Sequence, residues 1–288
     1  MKIALGTVQF GLDYGVANRT GQVSKNQIEL ILDLARQRGV DTIDTAIAYG
    51  ESESVLGSIG VSDFKLLTKL PAVPNDCRDV SAWVHDQCLG SLGRMKVDSV
   101  YGLLLHKSQD LIGPRGCDLN QALQGLKANG LVKKVGISIY SPTELEAIMP
   151  LYDIDLIQAP LNLIDRRISS SGWLQKLHAA GVEVHARSVF LQGLLLMDQQ
   201  SIPPKFSQWN YLLKIWHDWL NKSSISASQA CLTFAQGFSE ISRVVIGVDS
   251  ISQFDHLMNV AEQTTDFDFP QISCVNELLI NPANWNSL

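Results

Sequence analysis

Apolar runs of four to eight residues alternate with longer stretches in which apolar positions recur every three or four residues. The runs predict eight strands, over 2–5, 40–44, 65–69, 98–105, 133–138, 155–159, 182–187 and 243–247. Most are continuously apolar, the pattern of parallel strands buried on both faces. Between the first two, "SKNQIELILDLARQRG" sets Ile28, Ile31, Leu32 and Ala35 on one helical face. Ser24 and Gln27 read there as a capping box, and Gly39 as the helix C-terminal turn. Further helices are predicted over 51–58, 79–94, 118–129, 170–180, 209–221, 226–238 and 250–262. "SPTELEAIM" opens on Ser141 as cap, with Pro142 in the first turn and Glu144 closing a second capping box. Eight βα units without a break in composition predict an α/β protein, a single (β/α)8 TIM barrel over 1–288, with 264–288 an irregular tail. The alternative is a doubly wound sheet, which the absence of G-x-G-x-x-G after the first strand disfavours.

Composition narrows the function classes. Hydrophobic residues make up 45% and charged residues 18%, which suits a globular chain with ample core. A net charge of −6 argues against a nucleic-acid partner, since phosphate binding needs clustered Lys and Arg. No apolar stretch approaches the roughly 20 residues that span a bilayer, and "MKIALGTVQFG" is too interrupted for a signal-peptide core. The five cysteines, Cys77, Cys88, Cys117, Cys231 and Cys274, are scattered and form no C-x-x-C pair. They read as reduced thiols of a cytoplasmic protein, and no metal site is expected.

In such a barrel, chemistry belongs at the C-terminal strand ends. Asp44 ends the second predicted strand in "VDTIDT", and Tyr49 follows in the next loop. Lys69 ends the third, in "LLTKLP", and His106 ends the fourth, in "LLLHKS". Singly, Asp44 can cap a turn, Lys69 can lie at the surface and His106 can close a strand, as polar residues commonly do. Jointly, they face one mouth from three consecutive strands. A free Tyr is a poor acid, with a pKa of about 10. A nearby ammonium lowers that value, a carboxylate keeps the ammonium charged, and a neutral imidazole can hold a carbonyl oxygen. Those roles fit Tyr49, Lys69, Asp44 and His106 in proton transfer coupled to hydride transfer.

The chain resembles the aldo-keto reductase superfamily over nearly its whole length. "LGTVQFG" is similar to the family's L-G-T-x-x-F-G start, which holds Gly6 and Thr7. "DTAIAYGESESVLG" resembles D-T-A-x-x-Y-G-x-S-E-x-x-L-G, and the order Asp, Tyr, Lys, His is that of the family's catalytic tetrad. The resemblance implies a (β/α)8 barrel with a nicotinamide dinucleotide, usually NADPH, across its mouth. It assigns Ser138 and Gln158 to the carboxamide, with Ile139 where the family has Asn and Asn162 in the adjoining loop. "RSVFLQGLL" is similar to Y-S-P-L-x-x-G-L-L. Ser188, Leu191 and Gly193 then fall near the pyrophosphate, Val189 replaces Pro, and Arg187 stands where an aromatic ring often stacks on the nicotinamide.

"GVDSISQFDHLMN", which begins at Gly247, resembles the adenosine-phosphate segment, with Ser250 on the phosphate side and Asn259 on the adenine side. Asp249 and Asp255 stand where bases usually grip the 2′-phosphate. Carboxylates repel a phosphomonoester and accept from a free ribose hydroxyl, which opens NADH beside NADPH.

The resemblance thus implies reduction of an aldehyde or ketone to an alcohol, with Tyr49 as proton donor and a small carbonyl compound as partner. Neither nucleic acid nor membrane is expected, and nothing in the sequence indicates an oligomeric state. A rival reading is a nicotinamide-binding regulatory or sensor subunit, suggested by Ile139 and Arg187. Another is a barrel lyase or isomerase with Lys69 as Schiff base. Substrate choice falls to "KSQDLIGPRGCD", the Pro203–Pro204 region and the tail ending "NPANWNSL". Trp209, Trp216, Trp219 and Trp285 are candidate pocket residues, outer packing being the expectation for the middle pair.

Overall fold

Parallel strands β1 (Ile3–Gly6), β2 (Thr42–Asp44), β3 (Lys65–Leu70) and β4 (Val100–Leu105) continue through β5 (Val132–Ser138), β6 (Leu156–Pro160), β7 (Glu183–Arg187) and β8 (Arg243–Gly247). They pair in chain order, and β8 returns to β1 to close a barrel. This is the (β/α)8 barrel that the strand and helix periods predict, with strand ends within two residues of the expected ones. The computed structural model describes residues 2–263 and 267–288.

The principal outer helices are α1 (Lys25–Gln37), α2 (Ser52–Ile59), α3 (Val80–Met95), α4 (Gly116–Ala128), α5 (Thr143–Ile148) and α6 (Trp173–Ala179). After β7 come α7 (Asn210–Ser223) and α8 (Ala227–Gln236), and after β8 comes α9 (Ile251–Ala261). Helix α1 buries Ile28, Ile31, Leu32 and Ala35, the stripe its periodicity predicts. Asp79, Ser226 and Ser250 cap α3, α8 and α9 by accepting from a backbone N–H inside each helix.

Four local expectations are corrected. Ser24 sits at the start of α1 but makes no side-chain cap, and Gln27 Oε1 instead accepts from Ile251 N at 3.1 Å, joining α1 to α9. Helix α5 begins at Thr143, one residue later than expected, with Pro142 rather than Ser141 at the N-cap position. Glu144 still makes its half of the box, accepting from Tyr140 N and Ser141 N at 2.8 Å each. The helix expected over 170–180 is broken by Gly172, whose φ of +77° ends a short turn, Arg167–Ser170, before α6. The tail contains a helical turn, Glu277–Ile280, and a 3₁₀ segment, Pro282–Ser287, anchored by buried Trp285; residues 264–266 of the expected irregular tail lie outside the described residues.

Candidate active site

The strands read inside-out every second residue, and this period places the site. Leu66 and Leu70 of β3 face the helices, whereas Leu67 meets Leu104 and Leu156 in a separate cluster within the barrel. Two residues beyond each of these leucines, on the same inward face, stand Lys69, His106 and Gln158. On β7, Val184 and Ala186 belong to the outer core. Glu183, His185 and Arg187 therefore point inward. The inward leucines make the floor, and the next inward position on each strand makes the rim.

Lys69, buried to 1% exposure, donates to both carboxylate oxygens of Asp44, at 2.8 and 2.7 Å, and to Thr45 O at 2.9 Å. Asp44 also accepts from Gln158 Nε2 at 2.7 Å. The ammonium lies 5.1 Å from the centre of the Tyr49 ring, and the Tyr49 and His106 rings meet edge-on at 5.9 Å. The four residues expected to act together are thus assembled at one end of the barrel. Tyr49 and His106 line the pocket; Lys69 lies behind them and does not, which disfavours it as a Schiff-base nucleophile.

The electrostatics depart from the expected pattern at Tyr49. Burial raises its phenol above the ordinary value, and the Asp44 carboxylate raises it further. The Lys69 hydrogen bonds go to Asp44 and Thr45 rather than to the phenol. The cation that pulls Tyr49 down is Arg187. Burial likewise lowers Lys69 from its usual value, against the opposing pull of Asp44. His106 is pushed down to about 4, by burial first and then by the Lys69 and Arg187 cations. It is therefore a neutral imidazole at pH 7.

The rest of the "DTAIAYGESESVLG" stretch holds this arrangement in place. Thr7 N and Oγ1 both donate to Asp44 O at 3.0 Å, and Ser52 Oγ donates to Thr7 O at 3.0 Å. Glu53, 1% exposed, accepts from Thr68 at 2.6 Å, Ser91 at 2.5 Å and Arg94 at 2.8 Å. It ties α2 to α3 and to the strand residue beside Lys69. Gly11 lies against the Tyr49 loop so closely that a Cβ there would fall 1.8 Å from Tyr49 O. These supports are visible in the sequence as residue types, but their partners lie on distant segments.

A cavity of about 1050 Å³ opens over the strand ends. Of the residues expected to hold a cofactor, Gly6, Thr7, Ser138, Gln158, Arg187, Ser188, Gly193, Gly247 and Asp249 line it. Leu191 is buried beneath its loop, and Ser250 is engaged in capping α9. Asn259 and Asp255 face Arg38, which donates to each at 2.7 Å on the outer surface. Neither lines the cavity, so the Asp255 carboxylate meets a guanidinium there. Asn162 is also outside it, and joins β6 to β7 by donating to Ser188 O at 3.0 Å. Sequence reasoning missed Gln9, Asp13, Tyr14, Arg19, Tyr140, Gln192 and Lys205, all of which line the cavity. Gln9 lies on the helical turn Val8–Gly11 and Lys205 on the 3₁₀ segment Pro204–Trp209, both too short to write a period; the other five sit on irregular loops. Of the tryptophans, only Trp285 reaches the cavity; Trp216 and Trp219 stack on each other at 5.7 Å.

The β7 loop is conformationally strained where it meets this space. Ser188, Leu191 and Gln192 have φ of 57°, 48° and 51°, the left-handed region that non-glycine residues rarely enter. Gln192 Nε2 donates to the Tyr14 hydroxyl at 2.9 Å, and Val16 N to Gln192 O at 3.1 Å, so the β1 and β7 loops meet above the mouth.

A closed eight-stranded barrel with an Asp–Tyr–Lys–His group at its C-terminal rim defines a recognisable class. The sequence model of the aldo/keto reductase family matches residues 2–277, and the chain belongs to that family. It is 26% identical over 277 residues to the uncharacterized oxidoreductase YqkF of Bacillus subtilis, covering 88% of each chain. It is 27% identical over 220 residues to the oxidoreductase sirO of Leptosphaeria maculans, covering 72% of this chain but 65% of that protein. Among solved structures, the fold is shared with the holo form of aldo-keto reductase AKR11C1 from Bacillus halodurans (TM-score 0.74, 19% identity, 94% of this chain and 89% of that one). It is also shared with glycerol dehydrogenase AKR11B4 from Gluconobacter oxydans (TM-score 0.70, 21% identity, 92% and 88%).

Proposed function

We propose that the cavity binds a nicotinamide dinucleotide and reduces an aldehyde or ketone to an alcohol, with Tyr49 as proton donor. The observation that carries this reading is the Tyr49–His106 edge contact at the cavity wall, backed by the Lys69–Asp44 pair. The residues present suit such a cofactor. Gly247 leaves its stretch of wall clear, since a Cβ there would fall 2.6 Å from Gln9 Oε1. Gln9 Oε1 and Asp249 Oδ1 are buried acceptors without a partner among the described residues, ready for ribose hydroxyls. Ser138 and Gln158 stand at the carboxamide end, while Arg19 and Lys205 supply cations for the pyrophosphate.

When bound, the nicotinamide supplies the hydride. The chain's own residues do the rest. Neutral His106 donates one N–H to the carbonyl oxygen, polarising it and holding it beside Tyr49. The Tyr49 hydroxyl gives its proton to that oxygen as negative charge develops there. Lys69 is held by Asp44 and Thr45 behind the phenol ring, and Arg187 favours the phenolate that remains.

Asp249 supports NADH over NADPH. It lines the cavity, and burial together with the charge of Asp13 raises its carboxyl, so that end of the cavity is already crowded with negative charge. A 2′-phosphate would add to that repulsion, whereas a free 2′-hydroxyl would find an acceptor. The test titrates NADH and NADPH against tryptophan fluorescence and then assays a carbonyl panel. Binding of NADH followed by carbonyl-dependent oxidation supports the reading; binding of neither cofactor contradicts it.

A further inference from the structure

Arg187 lines the cavity as a cation without a carboxylate partner among the described residues. This side chain leaves the C-terminal end of β7 and crosses β6, donating from one terminal nitrogen to Ile139 O beyond β5 at 2.9 Å. The other terminal nitrogen donates to Ser188 Oγ at 3.0 Å. Its guanidinium stacks on the Tyr140 ring at 4.6 Å, and its Nε is buried without a partner. No carboxylate among the described residues forms a salt bridge with it. The nearest acid of the tetrad, Asp44, is committed to Lys69 and Gln158. A half-buried guanidinium held in place without a counter-ion is an incomplete ion pair.

Its location says what completes the pair. Arg187 reaches toward β5, away from the β8–β1 side where Asp249 and Asp13 stand. It lines the same cavity as Tyr49 and His106. Tyr140 covers one guanidinium face, and the bonds to Ile139 O and Ser188 Oγ use one N–H of each terminal nitrogen, so the second N–H of each remains free for recognition.

We propose that Arg187 is an anion-recognition group that selects carbonyl substrates carrying a carboxylate or phosphate close to the reacting carbon. This rests on the carbonyl-reduction reading. A fork of donors beside the proton donor binds the anion and thereby fixes which carbonyl face meets the hydride. Replacing it removes charge-assisted bonds, which corresponds to about 10- to 100-fold in affinity.

The experiment compares succinate semialdehyde with its methyl ester, and glyceraldehyde 3-phosphate with glyceraldehyde, in wild type, Arg187→Gln and Arg187→Lys. Wild type prefers the charged member of at least one pair, and that pair identifies the anion as carboxylate or phosphate. In Arg187→Gln the charged-to-uncharged ratio of kcat/KM falls about 10- to 100-fold, chiefly through KM. Arg187→Lys recovers part of it. An equal loss on charged and uncharged members leaves Arg187 acting on Tyr49 or on the fold alone and overturns the proposal. Weakened NADH binding with an intact charge ratio places the group on the cofactor and overturns it too. Calorimetry with 4-hydroxybutanoate reads the anion site without turnover, and equal binding to wild type and Arg187→Gln is again contrary. Failure of wild type to bind NADH strikes the carbonyl-reduction reading instead.

Discussion

Lys69 gives two of its hydrogen bonds to the Asp44 carboxylate and the third to Thr45 O, so its donors are spent before any reaches the Tyr49 hydroxyl. The pair is buried on the inward face of the barrel. Breaking it by removing one member strands the other charge in the interior. Asp44→Ala and Lys69→Met are each expected to lose about 3–5 kcal/mol of stability. The double variant should lose clearly less than the sum, because no lone charge remains. Urea unfolding of the three variants and the wild type measures the coupling; strict additivity would show that the pair is not energetically joined.

His106 sets a pH window for stability. Its folded-state value is about 4, below the ordinary 6.5. The unfolded chain therefore takes up a proton between those values that the folded chain refuses. Stability should fall as pH drops from about 6.5 to about 4 and stop responding to this group below that. His106→Gln should flatten this part of the profile. An NMR titration of the His106 ring that gives a midpoint near 6.5 would refute the buried neutral imidazole.

The cofactor end offers a change of sign. Asp249→Lys replaces the carboxylate with an ammonium near the expected 2′ position. The ratio of NADPH to NADH affinity should rise by about 10-fold or more, with most of the change in the NADPH constant. Fluorescence titration of both cofactors checks it. An unchanged ratio would remove Asp249 from the ribose.

Gly11 tests how tightly the Tyr49 loop is held. An added methyl would collide with Tyr49 O. Gly11→Ala should therefore lower kcat by about 10-fold or more through misplacement of the phenol, since small displacements of reacting groups are costly. The variant's kcat and its circular dichroism together separate a moved loop from a lost fold.

The barrel was legible because buried parallel strands and amphipathic helices write two distinct periods into the sequence. The grouping of these side chains at one rim was legible for a related reason: His106 directly follows Leu103–Leu105 and Lys69 stands two residues past Leu67, where the inward face continues past its leucines. Charge pairing was harder to read. That Asp255 meets Arg38, and that Lys69 turns to Asp44 rather than to Tyr49, depends on segments far apart in sequence. The capping role expected of Gln27 failed similarly, because Ile251 N was a tertiary competitor for the same side chain. Cavity residues such as Tyr14 and Gln192 sit on loops whose path is fixed by contacts with each other.

The central claim is that Tyr49 delivers the proton. Tyr49→Phe removes the hydroxyl and keeps the ring that meets His106 and Lys69. The decisive measurement is single-turnover NADH oxidation by this variant, with a carbonyl substrate that the wild type reduces and with NADH affinity determined in parallel. Loss of about 10²- to 10⁴-fold in rate at little-changed NADH affinity is the predicted result. A rate within a few-fold of wild type, with NADH bound normally, would contradict it.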